Sequence, residues 1–503
     1  MTRHYAVVLC SALALYVVSC APGTLWQDSG LIQYRIWKND VEGFLGLAVS
    51  HPFFYILAIG VKYVPIGEFA HRVNLVSAVA AAVAVANVFL LVRLWLGRNF
   101  PAVVAAVTLA VSHTFWRHAS IIETYTLWAA LFLVELIILL QYTKTGRVRC
   151  LYWLGLLSGL SLSVHVLASM PLLCYAVFVT FLLARREIRV RDLGMVVLLC
   201  VIGALPYEIL IVKNVIQTGD IAGTLASAAF GQRWQAAVLN TSLSLRIVKE
   251  NISYVLLNFP TPNILLVLVG CLAMFKMPLH RGLRNILLVL IVLFLAFAFR
   301  YTVPDRYAFF IPFYCTASIF VGLGVHFLQE RFKSRLASFP VLIFSLVPVA
   351  VYGAAPMLAE KVQINVGTRD DIPYRGDSEY FLRPWKTGYR GADRFADEAL
   401  DLVEDNAVIY ADITTVAPLL LAREVRAKRP DVAIVSGTIN SENAPIFDAQ
   451  SLGRLLKSRP VYVVSAKPGY CPEFVLDNYD LARSGILWRV FEPQEQTEPT
   501  PKR

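Results

Sequence analysis

The chain has 503 residues, of which 57% are hydrophobic and only 16% are charged, and its mean hydropathy is +0.59. This composition excludes an ordinary water-soluble protein and is typical of a chain that crosses a membrane many times. The net charge of +11 would suit nucleic-acid binding, but the lysines and arginines lie in short loops between apolar runs. That distribution orients helices in a bilayer, so we expect a membrane environment and no nucleic-acid partner.

The first apolar run, at about 5–21, follows a weakly basic start. Val17-Val18-Ser19-Cys20 resembles a lipoprotein cleavage site, which leaves open whether Cys20 is ever lipidated. A retained helix agrees better with the topology below, so this run is predicted to be a membrane anchor. The eight cysteines are scattered, and no pair has metal-ligand spacing.

Apolar runs long enough to cross a bilayer recur along the first 355 residues and predict about eleven transmembrane helices. They lie at about 5–21, 72–95, 101–115, 122–142, 151–167, 169–184, 193–212, 258–275, 284–300, 307–328 and 338–355. Every second loop is short and basic, as cytoplasmic loops are. The remaining loops are predicted to face the extracytoplasmic side of a plasma (inner) membrane, at 22–71, 116–121, 213–257 and 301–306.

After Pro356 the composition becomes that of a globular domain. Strands are predicted at 407–410, 431–435 and 461–465, and helices at 416–428 and 452–457. Strands that alternate with helices predict a small parallel α/β domain. With the amino terminus in the cytoplasm, an odd number of transmembrane helices places this domain on the extracytoplasmic side. The sequence therefore predicts a transmembrane domain at 1–355 and an extracytoplasmic α/β domain with a polar tail at 356–503.

Asp28 follows the first predicted helix at its outer end. Ionisable residues at the edge of a bilayer are costly and are therefore candidates for function. A carboxylate at this position can stay ionised and face a lipid headgroup. The alternative is a turn-forming Asp before Ser29 and Gly30, which is common.

A second polar cluster occupies a predicted tight turn between two helices, on the same outer face as Asp28. It contains His113, Arg117, His118 and Glu123. Arg117 suits a phosphate because its guanidinium presents a fork of donors. Glu123 could be a metal ligand, a partner of Arg117, or an acidic residue favoured by the dipole at a helix start.

A third cluster, Arg300 to Tyr307, lies in another outer loop. Arg306 or Arg300 could hold a phosphate, and Asp305 could orient one of them; an Asp-Arg pair beside proline is also ordinary surface chemistry. His165, near the outer end of its helix, fits an interface histidine as well as a functional one. Glu135 lies deeper in a predicted helix and is interpreted as structural.

Several of these pieces occur in the order of one known family. They are Asp28-Ser29-Gly30, His51-Pro52, Arg72 to Ala78, Phe115-Trp116 through Glu123 to Leu127, Gly159-Leu160-Ser161 followed by His165, and Leu205-Pro206-Tyr207. The block, to about Trp234, resembles the family of domain of unknown function 2723, whose members are assigned to the GT-C membrane glycosyltransferases and include an animal protein O-mannosyltransferase. The chain departs from the family at Leu31, where a Glu is usual, and at Phe53.

The resemblance implies inverting transfer of a sugar, with mannose suggested, from a polyprenyl-phosphate donor to an acceptor on a protein, glycan or lipid. It implies that Asp28 is the catalytic base and that Arg117 and Arg306 meet the phosphate. His51, Glu123 and His165 would position the sugar, or a divalent metal held by Asp28 and Glu123. Leu31 puts a two-acid scheme in doubt. Two other hypotheses are a transporter or flippase of lipid-linked sugars and a scaffolding subunit.

Overall fold

The computed structural model describes residues 2–231, 234–277, 279–332, 338–364, 366–367 and 369–493. The first two thirds of this part are helical, and one small sheet lies near the carboxyl end. The helices are α1 (Thr2–Ser19), α2 (Gln27–Trp37), α3 (Pro52–Lys62), α4 (Phe69–Leu96), α5 (Asn99–Ala110), α6 (His113–Ser120), α7 (Tyr125–Thr145), α8 (Arg149–Val164), α9 (Ser169–Ala184), α10 (Val190–Thr218), α11 (Ile221–Phe230), α12 (Gln235–Val238), α13 (Leu245–Asn258), α14 (Leu265–Ala273), α15 (Arg281–Arg300), α16 (Ile311–Phe332), α17 (Ser338–Lys361), α18 (Asp377–Leu382), α19 (Gly391–Leu402), α20 (Val416–Val425), α21 (Leu452–Leu456) and α22 (Glu473–Asn478). The strands are β1 (Val408–Tyr410), β2 (Ala433–Val435), β3 (Val461–Val463), β4 (Asp480–Ser484) and β5 (Leu487–Phe491).

In the described ranges, eight helices are long and apolar enough to cross a membrane. The number rises to ten if the bent pairs α5–α6 and α13–α14 each count as one span. The remaining predicted run, 151–167, forms α8, which has 16 residues. The predicted polytopic helical fold is confirmed, with eight to ten spans where the sequence predicted about eleven.

Glycines bring α8 and α10 into close contact. A Cβ added at Gly159 would overlap the carbonyl oxygen of Cys200, and one at Gly203 would overlap that of Leu156. Small residues let transmembrane helices approach at backbone distance, which dispersion forces then stabilise. This packing fixes the carboxyl-terminal end of α8, where His165 follows.

The predicted tight turn at 116–121 is wrong. Residues 113–120 form the helix α6, which is bent by 65° from α5 and has every residue buried. The break falls at Val111 and Ser112, where the Trp116 N–H donates to the Ser112 carbonyl and starts the new helix. Arg117 is therefore presented from inside the protein and not from a surface loop.

The sheet near the carboxyl end has the strand order β2-β1-β3-β5-β4. β1 pairs in parallel with β2 and β3, so that Val408 lies opposite Ala433 on one side and Val461 on the other. The three predicted strands and their parallel arrangement are confirmed. The antiparallel hairpin of β4 and β5 was not predicted, because its pattern of exposed residues shows no buried run.

Helix α2 contributes to two hydrophobic cores. Ile32 and Ile36, four residues apart on one face, pack among the membrane helices. Leu31 and Tyr34 pack into the core of the α/β region, together with Trp26, which precedes the helix. Helix α2, which carries Asp28 in its first turn, therefore packs between the membrane helices and the carboxyl-terminal region.

Candidate active site

Asp28 lies in the first turn of α2. A carboxylate is favoured there by the helix dipole. Its side chain is reached by solvent, while Ser29 and Gly30 beside it are buried. Surrounding protein excludes much of the water, and this desolvation raises the pKa of the Asp28 carboxyl above its ordinary value. Asp28 therefore has the accessibility and the increased basicity that a general base needs.

Glu123 lies next to the start of α2. Its Oε1 accepts a hydrogen bond of 2.7 Å from Ser29 Oγ, and its backbone N–H and carbonyl are both held by the Ser77 hydroxyl. Burial, followed by the charge of Asp28, raises the pKa of Glu123 to about 8. Glu123 is therefore mostly protonated at neutral pH and adds little negative charge beside Asp28.

Asp305 is the third acid of the group. It precedes Arg306 in the loop between α15 and α16 and is partly buried. Desolvation, and after it the charge of Asp28, raises the pKa of Asp305. Three segments distant in sequence thus bring Asp28, Glu123 and Asp305 into one electrostatic group. The sequence offered Asp305 only as a partner for an arginine; its place on the same predicted outer face was the available signal.

Arg117 is buried in α6 and faces aromatic rings. Its Nη1 donates a 2.6 Å hydrogen bond to the Tyr307 hydroxyl, and its guanidinium lies 5.3 Å from the centres of the Tyr307 and Tyr380 rings and 5.8 Å from that of Phe381. In the described part of the chain, no carboxylate forms an ion pair with it, and its buried Nε has no hydrogen-bond partner. Arg117 is thus a cation with donor capacity to spare for an anion.

The His51 and His165 rings lie with their centres 4.8 Å apart and their planes tilted by 33°. His51 Nδ1 lies 2.8 Å from the Val164 carbonyl oxygen and so carries the proton it donates, whereas His165 Nδ1 accepts from the Leu167 N–H. Desolvation and the charge of Arg35 lower the pKa of His51 to about 4, so that it is neutral. The structure therefore brings two predicted site histidines into direct contact.

Aromatic contacts connect these histidines to the arginine. The Tyr125 ring lies 5.1 Å from that of His165 and 5.2 Å from that of His118. The His118 ring in turn lies 5.9 Å from that of Tyr307, which binds Arg117. Tyr125 and Tyr307 were not predicted as site residues, because an outer aromatic residue is indistinguishable by sequence from the interfacial belt.

A comparison of the sequence with family models matches residues 46–189 to the protein O-mannosyl-transferase TMEM260 N-terminal domain. The matched segment contains His51, Arg117, Glu123 and His165. No curated protein sequence matches the chain significantly.

Solved structures resemble the chain over nearly its whole length. ArnT from Cupriavidus metallidurans, in a crystal structure bound to undecaprenyl phosphate, is 14% identical with a TM-score of 0.62, and the likeness covers 98% of this chain and 100% of ArnT. The chain has the GT-C fold. The apo oligosaccharyltransferase of Archaeoglobus fulgidus, also 14% identical, gives a TM-score of 0.45 over 89% of this chain and 66% of its own. The fold and the family match support a glycosyltransferase of the GT-C type.

Arg306, the second predicted phosphate ligand, is paired with residues of α13. It forms an ion pair with Glu250, and its Nε donates to Asn251 at 3.2 Å. Its guanidinium also lies 5.7 Å from the centre of the Tyr254 ring. Its charge is thus already balanced by α13, and its role toward a phosphate stays a prediction.

The predicted metal ligands Asp28 and Glu123 do not form a metal site by themselves. Across the described residues, no three His, Cys, Asp or Glu side chains are grouped closely enough to hold a metal ion. Glu123 Oε1 also accepts a hydrogen bond from Ser29 Oγ. A divalent metal held by Asp28 and Glu123 stays a prediction.

Proposed function

We propose that the chain is a membrane glycosyltransferase that moves a sugar from a polyprenyl-phosphate donor to an acceptor hydroxyl on the extracytoplasmic face, with inversion. The observation that carries this proposal is the site around Asp28. An accessible acid with a raised pKa lies in one electrostatic group with a buried Arg117, which forms no ion pair with any described residue, on a GT-C fold. These are the parts that proton removal and phosphate departure require.

Arg117 receives the donor phosphate in this proposal. The lipid tail stays in the bilayer, and the phosphate meets the guanidinium, whose buried Nε–H has no partner among the residues that the structure describes. Undecaprenyl phosphate is the lipid bound to ArnT, and its single phosphate suits one arginine. Tyr307 holds the guanidinium in place by accepting from its Nη1.

Asp28 is the general base. The acceptor oxygen attacks the anomeric carbon from the face opposite the lipid phosphate, and its proton passes to the Asp28 carboxylate. The bond between the anomeric carbon and the phosphate oxygen breaks, and the charge that develops on the lipid phosphate is met by Arg117. One displacement inverts the anomeric centre. A protonated Glu123 keeps further negative charge away from the approaching phosphate.

The neutral pair of His51 and His165 is placed to bind sugar hydroxyls through the Nε2 atoms, since each Nδ1 is used by backbone. We take mannose as the sugar, on the strength of the match to a protein O-mannosyl-transferase domain. The acceptor is a protein, glycan or lipid hydroxyl, which the following experiment separates.

The test uses Asp28→Asn in vesicles that contain undecaprenyl-phosphate mannose, glucose or galactose, with membranes from cells lacking the protein as the acceptor source. Asn keeps the shape of Asp but cannot take a proton, so transfer should fall by about 10²–10⁴-fold. Asp220→Asn is the matched control, because Asn caps α11 as well as Asp does. Mass spectrometry identifies the glycosylated product.

Full transfer by Asp28→Asn would overturn the role of Asp28. Movement of the lipid-linked sugar across the vesicle membrane, without a new glycosidic bond, would instead support the transporter or flippase alternative.

A further inference from the structure

Gln27, the residue before Asp28, has a strained backbone that the carboxyl-terminal region holds in place. Its φ is +51°, in the left-handed region that residues other than glycine rarely adopt. Its N–H donates to the Thr414 carbonyl at 3.2 Å, and its side-chain Oε1 accepts from Arg375 Nη2 at 2.9 Å. Both partners lie beyond the membrane helices in sequence, so a separate part of the chain sets the conformation next to Asp28.

Thr414 lies at the carboxyl edge of the parallel strands. Because β2 and β3 flank β1, the strand order reverses between β1 and β3, and this edge is the usual ligand site of such sheets. Here the chain itself occupies it. Arg369 Nη1 lies 3.5 Å from Asp412 Oδ2 and donates to the Gly469 carbonyl at 2.9 Å. Beside this arginine, the Thr414 carbonyl accepts from the Gln27 N–H, so the same edge contacts the start of α2.

Arg375 is buried and contacts both the start of α2 and its own carboxyl-terminal segment. Its Nε pairs with Asp377, so its charge is balanced within its own segment. The Tyr389 hydroxyl donates to the Arg375 carbonyl at 2.9 Å and accepts from Trp26 Nε1 at 2.7 Å. Residues 26 and 27 are thus both connected to Arg375.

The same arginine is in contact with the phosphate side of the site. Its guanidinium lies 5.2 Å from the centre of the Tyr380 ring, and the Arg117 guanidinium lies 5.3 Å from the same centre. Tyr380 is buried, so its ring is held in place between the two guanidinium groups. The segment that fixes Gln27 therefore also contacts the residue that would bind the donor phosphate.

We propose that Arg375 is a positioning residue that directs the Asp28 carboxylate through Gln27, so that the α/β region completes the active site. This inference rests on the proposed function of Asp28. If the tether is lost, Gln27 can leave its strained conformation and turn the first residues of α2. A displacement of about 1 Å at a reacting group can cost about 10²-fold in rate.

The test is a double-mutant cycle with Gln27→Met and Arg375→Lys in the full chain, using undecaprenyl-phosphate mannose as donor. Met keeps the length of Gln without an acceptor, and one Lys nitrogen can satisfy Asp377 but lacks the fork that also reaches Gln27. Each single variant should lower kcat by between tenfold and about 10²-fold, the loss that a misplaced reacting group causes. The donor KM should stay nearly unchanged. The double variant should lose no more activity than the less active of the two single variants.

Arg383→Lys is the control, because Arg383 lies in the same segment and pairs with Glu379 instead. Thermal unfolding confirms that each variant is folded; if Arg375→Lys does not fold, Gln27→Met decides alone. Wild-type kcat in folded Gln27→Met, or additive losses in the double variant, would overturn the inference while Asp28→Asn stays inactive. An active Asp28→Asn would overturn the proposed function and the inference together.

Discussion

Glu123→Gln tests the electrostatics of the site through its pH dependence. The pKa of Glu123 is raised to about 8 by burial and by the neighbouring Asp28. As the pH rises through this value, Glu123 loses its proton and places a second negative charge near the base and the lipid phosphate. We therefore expect kcat/KM of the wild type to fall on the alkaline side.

The size of the fall follows from the titration. With a pKa of about 8, roughly nine tenths of Glu123 is protonated at pH 7 and roughly one eleventh at pH 9. If only the protonated form is active, kcat/KM at pH 9 is about elevenfold below its plateau. Gln cannot ionise, so the variant should keep its plateau to pH 9. The acidic limb should remain in both proteins, since Asp28 is unchanged and loses its base form as the pH falls through its raised pKa.

The assay is initial-rate transfer from undecaprenyl-phosphate mannose between pH 5 and pH 9.5, in vesicles where both faces share one buffer. Ser29→Ala provides an independent check. The Ser29 hydroxyl donates to Glu123 and lowers its pKa, so removing it should move the alkaline limb to higher pH. An alkaline limb that is the same in wild type and Glu123→Gln would refute this account of Glu123.

Two further pairs of variants test the phosphate ligand and the start of α2. Arg117→Lys should weaken binding of undecaprenyl phosphate by about tenfold or more, because a charged hydrogen bond contributes about 1.5–3 kcal/mol, and unchanged affinity in a direct binding assay would contradict the role of Arg117. Tyr307→Phe, which removes only the acceptor of Arg117 Nη1, should have a smaller effect. Gly30→Ala should destabilise the protein by about 1–3 kcal/mol in thermal unfolding, because the added Cβ would overlap the Leu25 carbonyl oxygen. Gly60→Ala is its control, with no atom within 4 Å of the added Cβ, and an equal loss in both would refute the steric argument.

The membrane fold and the α/β region could be predicted from the sequence because each depends on local pattern. A long apolar run must form a helix in lipid, since the bilayer offers no other partner for its backbone. Alternating short strands and helices likewise predict a parallel sheet, and β1, β2 and β3 lie where that pattern places them. Patterns of this kind do not show how the chain bends between two elements. The bend before 113–120, which forms a buried helix, was therefore not predicted.

The site was only partly predictable. Asp28, Arg117 and Glu123 could be chosen because charge at the edge of a bilayer is costly and theirs lies on one predicted face. The sequence could not show which of Arg306 and Arg117 is free to bind a phosphate, because the two differ only in their neighbours in space. Glu250 balances Arg306, whereas aromatic rings surround Arg117.

By itself, the sequence determined that this protein is a polytopic membrane protein with an α/β region, and it predicted a set of charged residues at one edge of the bilayer. Tertiary structure alone decided which charges meet. Asp305 joins Asp28 and Glu123 across 277 residues of chain from Asp28, and Arg375 reaches Gln27 across 348. Hydropathy and spacing report the neighbours along a chain, while pKa, charge balance and the direction of a carboxylate depend on neighbours in space.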